Sequence, residues 1–388
     1  MSKSLENTGK RRVWLASRNP RTRAVIWQAI AVMAVAAILA AIAMQTAENL
    51  RRRGIASGFD YLHRAAGFEI ARGPLSYSSG DTYGRALAVG LLNTLLVSSL
   101  GIIASTGLGV VIGITRLSRI GIASTLASTY VEVLRNTPLL LQLFFWYALS
   151  QSLPPPQQAL NPVPGVFLCF RGLYLPALDW HDGAAFLDWP ELVGFDFRGG
   201  TSISPEFAAL LIGLTSCTAA YLGEIVRGGI LAVDQGQKDA AAALGLSRGR
   251  ALRLIVLPQA LPVIVPPATS QFLNLVKNSS LAVAIGYPDL ISVTNTTLNQ
   301  TGQAIEALTL AMIVYLAISL TISLCMNIYN RTVQLREDKA RPRMSAPHVA
   351  SHHKVSTLDC RITSLEPPPL KLRPTFAEAA MRRHSRSR

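Results

Sequence analysis

Apolar stretches recur along the chain at residues 25–44, 86–115, 120–149, 205–230, 266–285 and 307–327, and most charged side chains crowd into the segments between them. Each stretch has 20 or more residues, which at ~1.5 Å per helical residue crosses a hydrocarbon layer of ~30 Å. The pattern predicts an all-α polytopic membrane protein with about six transmembrane helices. Seven Lys and Arg precede residue 25, and Arg331 and Arg336 follow the last stretch. Both termini are therefore expected in the cytoplasm, with residues 1–24 as a basic tail.

A secretory signal is the alternative for the first stretch, with Ala41-Ile42-Ala43 at its cleavage site. Its basic lead is too long and its apolar run exceeds the usual ~7–15 residues, so 25–47 reads as an extra membrane anchor. Arg51-Arg52-Arg53 opposes that orientation. In the external linker 48–85, Phe59, Leu62, Ala66 and Phe68 suggest a short interfacial helix. In the second stretch, Gly101, Gly107, Gly109 and Gly113 allow close helix approach. The third is interrupted by Glu132, Arg135, Asn136 and Pro138. Residues 151–204 open with Leu153-Pro154-Pro155-Pro156 and carry Trp180, Trp189 and five acids against two arginines. They read as an external insert whose aromatics rest at the headgroups or face a partner. Residues 337–388 lack apolar periodicity and read as a disordered basic tail.

Charged residues make up 15% of the chain, against ~25% in soluble domains. Much of the net charge of +15 sits in the two tails, which points to anionic headgroups rather than nucleic acid. Cys169, Cys217, Cys325 and Cys360 have no metal-like spacing, and all six histidines fall in loops or the tail. No disulfide framework, metal centre or cofactor is expected.

The stretch 224–258, EIVRGGILAVDQGQKDAAAALGLSRGRALRLIVLP, joins two spans. Residues 237–244 contain no helix breaker, Gly245 suits a left-handed helix end, and Ser247 suits the N-cap of a helix over 248–257 that Pro258 limits. A DNA-reading helix-turn-helix would look similar, but a loop whose ends enter the membrane can barely reach a duplex.

The spacing Asp239-Ala240-Ala241, three residues, Gly245, and then Leu257-Pro258 at the end of the loop resembles the EAA signature of ABC importer permeases, with Asp for the usual Glu. VEVLRNTPLLLQLFFWYAL at 131–149, AAYLGEIVRGGI at 219–230 and LPQALPVIVPPATSQFLNLVKNSSLAVAIGYPDL at 257–290 are similar to polar and basic amino-acid permeases. The extra first span and large insert resemble the general L-amino-acid permease subset. The tail beyond Arg336 departs from the family pattern. The resemblance implies a type I ABC importer permease fold over 86–336, with a cytoplasmic coupling loop at 234–258. It also implies cytoplasmic ATP-binding subunits, a second permease subunit that is often a paralogue, and a periplasmic amino-acid-binding protein. No G-x-x-x-x-G-K-[ST] run occurs in the chain, so the ATP would be hydrolysed by a partner. Asp239, Ala240, Ala241, Gly245, Leu257 and Pro258 are the implied coupling residues.

Ionised groups deep in a bilayer cost several kcal/mol unless paired or hydrated. Counted along their spans, Glu132 and Arg135 lie roughly 18–23 Å from Ile120, and Lys277 about 17 Å from Pro266. Glu132, Arg135, Asn136, Thr137, Lys277 and Asn278 are thus expected to line a substrate path. Mutual pairing of the charges is the alternative. Glu224 and Arg227 are read as a structural pair on one helix face. An ion-coupled secondary transporter would also use deep charges, but it does not account for the Asp239 to Pro258 spacing. An intramembrane enzyme would need a nucleophile with its base, or a His cluster, within the spans.

Overall fold

The computed structural model describes residues 20–52, 58–70, 75–181 and 184–340. The basic lead up to residue 19 and the tail from 341, including His352, His353 and Cys360, lie outside the described residues. The helices are α1 (Pro20–Arg52), α2 (Tyr83–Thr115), α3 (Gly121–Asn136), α4 (Leu139–Gln151), α5 (Pro205–Leu231), α6 (Gln235–Ala243), α7 (Arg248–Ala251), α8 (Leu257–Asn278), α9 (Leu290–Thr301) and α10 (Ala304–Ala340). Among the described residues, five helical stretches are long and apolar enough to cross a membrane: Arg23–Thr46, Tyr83–Thr115, Pro205–Leu231, Arg248–Ile285 and Ala304–Val333. The third expected span, 120–149, is instead two shorter helices, α3 and α4, parted at Thr137-Pro138.

At the centre, α2 and α5 run in the same direction with their backbones nearly touching. A Cβ on Gly109 would lie 2.6 Å from Leu222 Cβ, and one on Gly113 would lie 2.7 Å from the Gly223 carbonyl. Small residues on both helices permit this approach, which in lipid substitutes packing for hydrophobic burial. Leu143 of α4 closes on Gly213 of α5, and the buried Val97, Leu143, Leu210, Leu214 and Leu275 form one cluster. Toward the other end, α8 and α10 join α5 through Val226, Ile230, Ala260 and Ile264, with Ile322 and Met326 against them. No residue in the membrane-crossing part of α1 is buried against the rest of the chain.

Several expectations are corrected. Pro258 does not end the helix that begins at Arg248: a π turn over Leu252–Val256 precedes it, and α8 continues to Asn278. The wide turn takes up the register change that a proline, lacking an N–H and crowding the preceding carbonyl, would otherwise force as a break. The span begins well before Pro266 as a result. The proposed interfacial helix is a 3-10 turn, Asp60–His63, whose Tyr61 is fully buried. It packs with Ala66 against Tyr83, Leu87, Leu290 and Ala311. Residues up to Ala340 continue α10, so helix extends past the expected boundary at 337.

The insert is β structure, which the sequence reading did not assign. Strands β1 (Leu160–Val163), β2 (Val166–Cys169), β3 (Gly172–Leu175) and β8 (Thr201–Ile203) form an antiparallel sheet in the order β1-β2-β3-β8. Two hairpins, β4–β5 (Ala177–His181 with Ala184–Asp188) and β6–β7 (Glu191–Val193 with Asp196–Arg198), branch from it. Trp189 lies over Gly165, where a Cβ would meet its ring at 2.1 Å, so one side of this ring packs on the insert while the residue stays 48% exposed. Asp196 anchors the turn by accepting from Arg171 Nη1, Tyr174 Oη and the Phe197 amide at 2.8–2.9 Å. Burial and that hydrogen bond push the Tyr174 phenol up to about 12.

Candidate functional site: a coupling segment and a polar cavity

Asp234 opens the segment 234–258 as the N-cap of α6, its Oδ1 accepting from the Gly236 amide at 2.6 Å. The C-terminus closes with the Leu246 amide donating to the Ala241 carbonyl at 3.1 Å and the Gly245 amide to the Ala242 carbonyl at 2.9 Å. Gly245 sits at φ +71°, the left-handed residue such a closure needs. Ser247 holds the N-cap position of α7 with an extended backbone, but its side chain makes no capping bond. Asp239 and Ala240 are exposed, whereas Ala241 is buried. Gln235 Nε2 donates to Asp239 Oδ1 at 2.9 Å, which fixes the carboxylate on the helix surface.

The polar cavity has a volume of about 370 Å³ and is lined by Arg116, Val131, Glu132, Arg135, Asn136, Tyr221 and Glu224. Glu224 is the shared acceptor of two guanidinium groups, Arg116 from the end of α2 and Arg227 from its own helix. Arg227 Nη2 stands 2.5 Å from Glu224 Oε1, and Arg116 also donates to Ser128 Oγ at 3.2 Å. The Arg135 guanidinium lies 5.2 Å from the centre of the Tyr221 ring, a cation–π distance. Among the described residues, neither Glu132 nor Arg135 is in an ion pair. The cavity thus holds one carboxylate shared by two guanidinium groups, a second carboxylate outside any ion pair, and a guanidinium resting on the Tyr221 ring without a carboxylate partner, a set able to bind a small solute carrying both charges.

The helix break at Pro138 is sealed by one side chain. Pro138 has no N–H to offer the Leu134 carbonyl, and Gln142 Nε2 donates there at 2.9 Å and to the Thr137 carbonyl at 3.0 Å. Thr137 Oγ1 donates back to the Val133 carbonyl at 2.8 Å, so its hydroxyl serves its own helix. Lys277 and Asn278 do not join the cavity lining. Both are exposed, and neighbouring Leu275 packs on Gly101 near the middle of α2. Glu132 and Arg135 share their cavity with Arg116 at the end of α2, and Val131 beside them packs with Ile112 of α2 and Ala219 and Ala220 of α5.

Sequence reasoning missed Gln142, Tyr221 and the partnership of Arg116 with Glu224. It also passed over Asp289, 1% exposed. This residue caps α9, accepting from the Ser292 amide at 2.7 Å and from Tyr315 Oη at 3.3 Å. Burial pushes its carboxyl up to about 6. The one available signal was that Asp289 is the sole charged residue between 286 and 303.

Residues 105–339 match the family described as the inner membrane component of binding-protein-dependent transport systems. The chain is 45% identical over 381 residues to the YhdX protein of Escherichia coli (strain K12), covering 83% of this chain and 97% of that one. It is 39% identical to the general L-amino acid transport system permease protein AapQ of Rhizobium johnstonii (83% and 95% covered). To the glutamate/glutamine/aspartate/asparagine transport system permease protein BztB of Rhodobacter capsulatus it is 37% identical (82% and 95% covered). A mostly helical membrane domain with a broken span and an exposed helix–glycine–helix segment is the framework of a transport permease. The chain belongs to the family of binding-protein-dependent transport system inner membrane components, and it is a multi-pass protein of the bacterial inner membrane.

Proposed function

We propose that this protein is a non-enzymatic permease subunit that carries L-amino acids inward, using ATP hydrolysed by cytoplasmic ATP-binding subunits. In this reading a periplasmic amino-acid-binding protein delivers substrate, and a second, paralogous permease subunit completes the pathway. The amino-acid transport named for AapQ and BztB supports the substrate class. The observation that carries the reading is the cavity beside the broken helix. Glu132 is available there for an ammonium and Arg135 for a carboxylate, while Lys277 and Asn278, exposed and outside this cavity, serve a separate part of the path. Asp239, Ala240 and Gly245 then make the ATPase contact, while Leu257 and Pro258 carry the displacement into α8. The permease domain runs from Tyr83 at the start of α2 to Ala340 at the end of α10. Residues 1–24, 234–258 and the tail lie in the cytoplasm, and 151–204 lie outside.

Uptake of labelled amino acids by membrane vesicles carrying the cognate partners tests this. Glu132→Gln and Lys277→Met are expected to assemble normally and lose most uptake; wild-type rates in both would refute the path. Single cysteines in spheroplasts test the orientation, with labelling by an impermeant reagent expected at position 182 and not at 242.

A further inference from the structure

On the α6 side the helix ends enclose a groove of about 990 Å³, formed by the last turn of α2, the start of α3, the end of α5 and the α6–α7 segment. Its wall is apolar: Ile114, Leu117, Ile120 and Leu231 line it, with Ile120 66% and Leu231 51% exposed. Its charged lining is Arg119, Lys238 and Arg248 against one carboxylate, Asp239. That carboxylate already accepts from Gln235. Among the described residues none of the three cations is in an ion pair.

Large exposed apolar side chains beside unpaired cations, at the ends of membrane-crossing helices, match an amphiphile with an anionic head. A soluble anion would leave the apolar wall unused, and a zwitterionic lipid would gain little from the excess of cations. We propose that this groove binds an anionic phospholipid, its phosphodiester among Arg119, Lys238 and Arg248 and an acyl chain along Ile114, Leu117 and Ile120. Because Lys238 and Arg248 belong to the coupling segment, the lipid ties that segment to the headgroup layer. The inference requires that these helix ends lie at headgroup depth and is independent of the substrate.

The test uses the full-length protein in mild detergent, equilibrated with mixed micelles of phosphatidylglycerol and phosphatidylcholine, with retained lipid counted by native mass spectrometry. The wild-type protein is expected to retain phosphatidylglycerol preferentially. Each of Arg119→Gln, Lys238→Gln and Arg248→Gln is expected to weaken that retention roughly fivefold, and the combination to abolish the preference. The charge-conserving set Arg119→Lys, Lys238→Arg and Arg248→Lys is expected to keep it, which separates charge from folding damage. Equal retention of both lipids by the wild type, or undiminished phosphatidylglycerol on the neutralised variants, overturns the proposal. If neutralised variants keep the lipid but release a co-expressed ATP-binding subunit, the groove is a protein interface and the proposal fails.

Discussion

Gln142 supplies to the Leu134 carbonyl the hydrogen bond that Pro138 cannot. Its Nε2 is 2.9 Å from that oxygen and 3.0 Å from the Thr137 carbonyl, on a side chain only 5% exposed. The break between α3 and α4 is therefore a closed structure, held by a group four residues beyond the proline. It holds the last turn of α3, which carries Arg135 and Asn136.

Gln142→Leu leaves both carbonyls without this donor while keeping the bulk of the side chain. Unpaired buried acceptors cost about 1–3 kcal/mol. The expected result is a lower thermal midpoint for the protein in detergent. Pro138→Ala in the same background is expected to recover part of the loss by restoring an N–H.

The approach of α2 to α5 separates two glycines in the same helix. A Cβ at Gly113 would meet the Gly223 carbonyl at 2.7 Å and Val226 Cβ at 2.8 Å, whereas one at Gly107 meets nothing within 4 Å. Gly113→Ala is expected to destabilise by about 1–3 kcal/mol through overpacking. Gly107→Ala is expected to be neutral or stabilising by up to ~1 kcal/mol through helix propensity. Abundance in membranes and thermal unfolding read both.

Asp289 gives a pH dependence of definite sign. Its carboxyl titrates near 6 when folded, against 3.8 ordinarily. Between these values the folded protein holds a proton that the unfolded chain releases, so this group's contribution to stability falls as pH rises through the window. The cost is complete above pH 6 and absent below about 4. Its upper size is about 3 kcal/mol. Hydrogen exchange of α9 amides, corrected for intrinsic rates, is expected to slow from pH 7 to 5 in the wild type. The Asp289→Asn variant, which keeps an N-cap acceptor, is expected to lose that dependence.

Gly245 has open space around it, so substitution strains the backbone alone. Gly245→Val is expected to cost about 1–2 kcal/mol at the left-handed position and to redirect α7. Near-normal membrane levels, weak retention of the ATP-binding subunit and little stimulated ATP hydrolysis are the expected outcome. Reduced abundance with normal turnover per molecule would mean that Gly245 is a turn residue alone. Gly245→Asn, which tolerates the conformation better, is expected to lie between.

Local features of this chain were legible without a fold. Residues 86–115 and 205–230 are long, uncharged or nearly so, and must be helical in lipid because every backbone group has to find its partner within the segment. Gly245 was readable as a helix end because the conformation it adopts depends on its own φ. The short strands between 160 and 203 were not readable, since runs of three to five residues carry too little alternation and draw their stability from neighbours across the sheet. Pro258 misled for a related reason: whether a proline stops a helix depends on whether a π turn can absorb it, which the packing of Val256 and Ala260 against α5 decides. The charged residues were visible, but their partners were not. Glu224 with Arg227 follows from helical spacing, whereas Arg116 reaches Glu224 across 108 positions, and Lys277 stands apart from Glu132 although sequence placed both at depth. Chain chemistry fixes helices and their ends; the separations that make a cavity or a groove arise only when distant segments pack.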